Sequence, residues 1–305
     1  MKRWIRIGGL GLLAATGLAA AALFVAAHLG DRKSHRSIEL AVAPVAIPDD
    51  GASVARGRYL FMSRGCTECH GVDGAGKDVV NDGKGMLVHA PNITPATGSA
   101  VAAYRDVDWV RTIRHGVKPN GEPAMVMPSE DYNRLTDADT GALIAFLRRL
   151  PPVQAPGATV QLPMLVRALY AVGVVRDAAE KIDHTLPPAQ PVAEAVTAEH
   201  GAYVANACIG CHGAALSGGK IPGAPPDWPA AANLTPGAGS AMTRYADARA
   251  FTAMLRTGKR PDGSTVSAVM PFTALGEMSD TDMQAIWLHL KALPPKATGE
   301  GHAGG

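Results

Sequence analysis

Two pentapeptides, Cys66-Thr67-Glu68-Cys69-His70 and Cys208-Ile209-Gly210-Cys211-His212, use all four cysteines of this 305-residue chain. C-x-x-C-H is the attachment signature of c-type haem. On a helix, residues three and four apart share a face, so two thiols and an imidazole converge on one planar macrocycle. The cysteines then bond the porphyrin edge and the histidine ligates iron from the proximal side. The expected cofactors are therefore two covalently attached haems c, and the chain must fold around two large flat apolar bodies.

Other uses of these cysteines fit less well. Zinc sites built from two C-x-x-C pairs usually space them about 15–20 residues apart, whereas these pairs stand about 142 residues apart. A thioredoxin-like dithiol expects a βαβ context and does not require a histidine after the second cysteine. Two disulfides would leave the paired histidines unexplained.

The separation between the motifs is the period of an internal duplication. Gly57-Arg58-Tyr59-Leu60 returns as Gly201-Ala202-Tyr203-Val204, and Asn92-Ile93-Thr94-Pro95 as Asn233-Leu234-Thr235-Pro236. Arg114-His115-Gly116 matches Arg256-Thr257-Gly258, and Pro119-Asn120-Gly121 matches Pro261-Asp262-Gly263. Met127-Pro128 matches Met270-Pro271, and Leu150-Pro151-Pro152 matches Leu293-Pro294-Pro295. Each half ends in an expected amphipathic helix. Thr136 and Ser279 stand at the N-cap, with Asp139 and Asp282 three residues on in a near variant of the capping box. Behind them run apolar stripes, Leu143, Phe146, Leu147 and Leu150 in one half and Met283, Ile286, Trp287 and Leu290 in the other. Both helices run into Pro-Pro, a stop signal.

This divides the chain into an N-terminal segment (1–28), a linker (29–51), a first haem domain (52–153), an inter-domain linker (154–196), a second haem domain (197–296) and a flexible tail (297–305). Within the inter-domain linker, the apolar stretch 162–175 is broken only by Arg167. It is too short to span a bilayer. Burial between the two domains is the expectation, with a docking surface for a partner or the bilayer as the alternative. The predicted fold class is all-α, since little period-2 alternation appears anywhere. Aromatic residues make up only 5% of the chain, thin for two self-sufficient cores, and buried macrocycles would remove that difficulty. The 29 Lys and Arg nearly balance the 27 Asp and Glu, so no nucleic-acid partner is expected.

At the N-terminus, Lys2, Arg3 and Arg6 precede an uncharged run from Ile7 to Ala27. About 20 apolar residues span a bilayer, whereas a signal peptide has a shorter apolar core and a small-residue cleavage site. Val25-Ala26-Ala27 would serve as such a site, so cleavage stays open beside the favoured reading of an uncleaved anchor at residues 7–27. Arg32, Lys33 and Arg36 follow the run and blur the charge asymmetry that would orient it. Either fate exports the remainder, which suits covalent haem attachment.

Methionine opposite histidine marks an electron-transfer haem with a raised potential. Met127 and Met270, at equivalent positions ahead of the closing helix, are the candidate axial ligands beside His70 and His212. Met125 is a specific rival to Met127. His115 and His89 are weaker candidates, because neither has a matching histidine in the second half. Arg114 and Arg256 are matched cations suited to pairing a haem propionate bidentately, or to ordinary surface charge. Gly116, Gly121, Gly258 and Gly263 are expected to serve turns that carry the methionine loops, and Thr94 and Thr235 to fix loops.

With these motifs in place, the chain resembles the class I (mitochondrial-type) cytochrome c superfamily in tandem. More narrowly it is similar to the membrane-associated multihaem cytochrome c subunits of bacterial periplasmic alcohol, aldehyde and sugar dehydrogenases, although those commonly carry three haem domains. The resemblance covers 52–153 and 197–296. It implies single-electron transfer, on the periplasmic side of the inner membrane, from a dehydrogenase or quinol-oxidising complex toward an acceptor cytochrome or terminal oxidase. The rival function is a two-haem enzyme, peroxidase-like or oxidising sulfur compounds. Such an enzyme needs an open iron or a cysteine ligand, whereas both halves keep Met-Pro and no fifth cysteine exists. No catalytic residue is predicted.

Overall fold

The structure, a computed structural model, describes residues 2–225 and 227–301, without the side chains of residues 2–6 and 8. The charges expected of Lys2, Arg3 and Arg6, and residues 302–305 of the tail, lie outside that description. Helix α1 (Lys2–Ser34) contains the uncharged run, and its stretch Gly9–Ser34 is long and apolar enough to cross a membrane.

The two halves repeat one helical plan. The first has α2 (Gly51–Ser63), α3 (Cys66–His70), α4 (Asp106–His115), α5 (Ser129–Tyr132) and α6 (Asp137–Leu147). Between α3 and α4 lie strands β1 (Asp78–Asn81) and β2 (Leu87–His89). The linker contributes β3 (Thr159–Gln161) and α7 (Met164–Ala171). The second half has α8 (Ala198–Val204), a 3₁₀ turn (Ala205–Cys208), α9 (Ile209–His212), α10 (Ala248–Thr257), α11 (Phe272–Leu275) and α12 (Asp280–Ala292).

In each half the opening helix crosses the closing one at a glycine. A Cβ on Gly57 would stand 1.9 Å from the Ala142 carbonyl oxygen, and one on Gly201 would stand 1.9 Å from that of Ala285. No side chain fits such a crossing, which explains why Gly-x-Tyr is the duplicated phrase. The predicted stripes then bury: Leu143, Leu147 and Leu150 join Leu60, Phe61, Val110 and Ile113. Met283, Ile286, Trp287 and Leu290 join Val204, Phe251 and Leu255.

Three expectations need correction. Helices dominate, but all-α is too strict: β1, β2 and β3 form an antiparallel sheet, with Leu87 opposite Gln161 and His89 opposite Thr159. Val79-Val80 and Leu87-Val88 flank a turn in which the Asp82 carboxylate accepts from the N–H groups of Lys84 and Met86. That turn chemistry specifies a hairpin. Second, the apolar linker stretch is not buried between the halves. Its helix α7 lies against α1, where Gly30 admits the Arg167 backbone so closely that a Cβ would stand 2.1 Å from its carbonyl oxygen. Third, the described part of the tail is docked. The Gly299 N–H donates to the Ser217 carbonyl, and the buried Ser217 hydroxyl donates to the Glu300 carbonyl.

The halves meet through a reciprocal contact. Tyr59 of the first donates to Asp282 at 2.6 Å and accepts from the Ser279 N–H at 2.9 Å. Tyr203 of the second donates to Asp139 at 2.6 Å and accepts from the Thr136 N–H at 3.3 Å. Thr136 and Ser279 do cap α6 and α12, accepting from the Asp139 and Asp282 N–H groups. A closed capping box would return the aspartate to the N-cap N–H. Here a tyrosine hydroxyl from the opposite half stands between them. Matched residues contacting matched residues make this an isologous interface within one chain.

Candidate functional site

The backbone presents each C-x-x-C-H as one short helical turn. Gly65 (φ 83°) and Gly71 (φ 72°) bracket α3, and Gly213 (φ 75°) ends α9. All four cysteines are unpaired and partly accessible. Burial pushes the Cys66 and Cys208 thiols up to about 12 and Cys211 to about 11. A redox dithiol depends on a lowered thiol pKa, so that use does not suit them.

His70 Nδ1 donates to the Pro91 carbonyl at 3.0 Å, and His212 Nδ1 to that of Ala232 at 2.8 Å. A histidine held through Nδ1 is set to ligate metal through Nε2, with ring orientation fixed by the second bond. Burial lowers the His70 pKa and so favours the neutral imidazole a ligand must be. The accepting carbonyls belong to stretches fixed by the duplicated Asn-x-Thr-Pro phrase. Asn92 donates to the Val153 carbonyl and accepts from the Thr94 N–H and hydroxyl. Asn233 does the same with Lys296 and Thr235. The threonines are loop-fixing residues.

Met127 packs on the core cluster that also receives Cys66, and Met270 on the one that receives Cys208. Met125 joins neither cluster. Both methionine loops are built alike: Gly116 and Gly258 cap α4 and α10 in the left-handed region. The Ala124 N–H then returns to the Gly116 carbonyl and the Val266 N–H to that of Gly258, each at 2.7 Å. Gly121 (φ 84°) and Gly263 (φ 82°) make the tips.

Arg114 and Arg256 have protein partners that compete with the expected propionate. Arg114 binds Asp137 at 2.7 Å and the Leu135 carbonyl at 2.7 Å, leaving its buried Nε without a partner. Arg256 binds Asp280 at 2.6 Å and the carbonyls of Gly276 and Met278. Each thus clasps the end of α4 or α10 to the start of the closing helix, across the base of the methionine loop. The other histidines are engaged elsewhere. His115 Nδ1 lies 3.1 Å from His184 Nδ1, with its pKa lowered to about 4 by burial and by that neighbour. His89 pairs with Asp78 at 2.7 Å.

Reading the sequence missed the residues that join the two sites. Helix α5, just after Met127-Pro128, packs on the second C-x-x-C-H turn, and α11, just after Met270-Pro271, packs on the first. Asp131 of α5 accepts from the Gly210 N–H, between the cysteines of α9, at 2.7 Å. Burial, and then the charge of Glu130, raises the Asp131 pKa to about 7. The buried Arg64, two residues before Cys66, binds Asp282 at 2.6 Å, and His200 Nε2 reaches the other oxygen of that carboxylate at 2.7 Å. The duplicated tyrosines were the available signal for this contact. Arg64 and Asp131 had none, because Asn206 and Ala274 replace them in the second half.

The sequence profile of the cytochrome c family matches residues 54–151 and again 198–294. The chain belongs to the cytochrome c family. Its two cytochrome c domains carry two covalently attached haems c. The residues present fit that group: each half has paired free thiols, a histidine oriented through Nδ1, and a methionine packed on the same core as the first cysteine. The chain is 29% identical over 276 residues to the fructose dehydrogenase cytochrome subunit of Gluconobacter japonicus, covering 80% of this chain and 53% of that one. It is also 29% identical over 287 residues to the gluconate 2-dehydrogenase cytochrome c subunit of Pantoea cypripedii, covering 82% and 62%. Over 106 residues it is 35% identical to the cbb3-type cytochrome c oxidase subunit CcoP of Helicobacter pylori (strain 52), covering 33% and 29%. The chain thus spans less than two thirds of the length of these relatives.

Proposed function

We propose that this chain is a two-haem electron carrier of the bacterial periplasmic face, passing single electrons from a dehydrogenase or quinol-oxidising complex to an acceptor cytochrome or terminal oxidase. The observation that carries the proposal is the duplication of a whole site, methionine included. In this reading the haem domains are 52–153 and 197–296. Cys66 and Cys69 attach one haem and Cys208 and Cys211 the other. His70 and Met127 would hold one haem iron, and His212 and Met270 the other. When bound, haem c would supply one-electron transfer at its iron. The polypeptide keeps those ligands in place: Pro91 and Ala232 fix the imidazoles, and the clasps of Arg114 and Arg256 hold the loops that bear the methionines. Similarity to dehydrogenase and oxidase subunits supports donors and acceptors of those classes. The stretch Gly9–Ser34 of α1 is long and apolar enough to cross a membrane, which supports an anchor at residues 7–27 in the inner membrane.

Potentiometric titration of the full-length protein, followed by visible absorption, tests this. Two low-spin haems per chain, each with the weak far-red band of methionine-ligated ferric iron, are the expected result. A high-spin haem, or one that readily binds cyanide, would mean an open iron and an enzyme instead.

A further inference from the structure

Helices α1 and α7 run side by side, and their contacts climb in step. Arg167 lies against Gly30 and binds Asp31 at 2.6 Å. One turn later, Lys33 donates to the Tyr170 carbonyl at 2.9 Å and Arg36 to the Tyr170 hydroxyl at 2.8 Å. Arg36 also holds the buried Asp177 at 2.6 Å, and Lys33 binds Glu180 at 2.8 Å. Ala27, Ala168 and Tyr170 are buried in this seam. The two helices are therefore parallel and rigidly joined. Met164 and Leu165, at the start of α7, come level with the last residues of the uncharged run.

The apolar character of that end is unexplained by the seam. Leu165 is 59% exposed and Met164 42% exposed, and Phe24, Val25 and Leu29 near that level of α1 are exposed too. At 1.5 Å per residue, a run from Ile7 to Ala27 measures about 31 Å, close to the roughly 30 Å of a bilayer's hydrocarbon core. The start of α7 then falls at the boundary between acyl chains and headgroups. Apolar helix faces bury about 5–10 Å deep in that layer. Arg32 lies exposed just beyond, at headgroup level, as contact with anionic lipid requires.

We propose that the start of α7 is a second membrane contact, seating Met164 and Leu165 in the bilayer that α1 spans, with the seam fixing how the haem domains stand on its surface. This rests on the reading of α1 as an uncleaved anchor. The occupant is lipid: the exposed surface continues that of a helix already in lipid, at the depth where the bilayer ends.

The test is depth measurement on the full-length haem-loaded protein in vesicles of phosphatidylethanolamine and phosphatidylglycerol. Single cysteines replace exposed residues (Leu18→Cys, Leu165→Cys, Val172→Cys and Leu186→Cys) and carry a nitroxide, the native cysteines being held as thioethers. An unchanged haem spectrum verifies each variant. The label at 165 should be shielded from a water-soluble nickel complex and relaxed by oxygen, as at 18, and several-fold less nickel-accessible than at 186. The label at 172, one to two turns further from the membrane, should fall between 165 and 186. If 165 is as nickel-accessible as 186 while 18 is shielded, the second contact is wrong and the anchor stands. That is also the result expected if a protein partner covers the patch. If 18 is nickel-accessible, the anchor reading fails and takes this proposal with it.

Discussion

The two halves share a haem-binding frame and differ in what stands between the frames. Gly57 and Gly201, Tyr59 and Tyr203, Arg114 and Arg256, and Met127 and Met270 do the same work at matched positions. Around the join, where the two tyrosine contacts do match, other positions differ. Arg64 faces Asn206 across the duplication, Asp131 faces Ala274, and Arg56 faces His200. Arg56 binds Asp139 in a bidentate pair at 2.8 and 2.9 Å, and His200 takes the equivalent place on Asp282 with one bond. Arg64 then adds the cation that the second half's own aspartate lacks. Duplicated residues build each site, and unduplicated ones make the two sites unequal.

The largest effect would come from removing one frame. Cys66→Ser with Cys69→Ser, or Cys208→Ser with Cys211→Ser, should each leave one covalent haem per chain, read as the haem-to-protein ratio. Retention of two haems in either variant would break the comparison outright. Next, Met127→His should lower the potential of the first haem alone and Met270→His that of the second. A fall on the order of 0.1 V is expected, a fraction of the roughly 0.8 V that axial ligation spans. An unchanged titration would remove that methionine from the coordination shell, and for the first half would return Met125 to consideration.

The interface itself separates Arg64 from its counterpart. Asp282 is fully buried and Arg64 nearly so. Breaking a buried ion pair by removing one partner costs about 3–5 kcal/mol, because a charge is left uncompensated. Arg64→Ala should fall at the low end of that range, since His200 and Tyr59 still face the carboxylate. Asn206→Ala, which loses only a local bond to the Tyr203 carbonyl, should cost about 1 kcal/mol or less. Denaturant unfolding in detergent would compare them, and equal losses would mean the asymmetry carries no energy.

Legibility follows the same division. A duplicated residue is marked by its own repetition, so the haem motifs, the matched loops after α4 and α10, their turn glycines and the closing helices are readable from residue order alone. The capping variant was legible as a cap, but not that its N-cap N–H and its aspartate share a partner from elsewhere in the chain. Only the fold shows that partner to be a tyrosine of the other half. Arg64 and Asp131 occur once, and nothing local distinguishes a buried interface charge from a solvated one. The hairpin was passed over because two-residue apolar runs carry little periodicity, although Asn81-Asp82-Gly83 was a turn signal. Helix α7 is as short and apolar as its sequence suggests, but its partner lies more than a hundred residues back in the chain.

Asp131 gives a pH test. Its folded pKa, about 7, lies above that of an unfolded aspartate near 3.8. Such a group contributes stability that is fully present below about pH 4 and is lost as pH rises through 7. Full linkage across pH 5–7 would approach 2–3 kcal/mol, and water reaching the interface should hold it nearer 2 kcal/mol. Asp131→Asn should flatten the dependence of the melting temperature on pH in that window. A variant as steep as the parent would assign the slope to other groups.

A small effect probes the reciprocity directly. Tyr59→Phe removes a donor from Asp282 and an acceptor from the Ser279 N–H; Tyr203→Phe does the same at Asp139 and Thr136. Each carboxylate keeps a cation, Arg64 in one case and Arg56 in the other. The loss is then a hydroxyl bond and an N-cap N–H left to water or unpaired, about 1 kcal/mol. Tyr59→Phe should cost slightly more, because Asp282 is fully buried and the Ser279 bond is the shorter at 2.9 Å against 3.3 Å. Nearly equal losses, ordered this way in denaturant unfolding, would mark the interface as two copies of one contact. A large loss from one substitution beside none from the other would show that a single tyrosine carries the join, and that the symmetry of the two bonds is one of geometry alone.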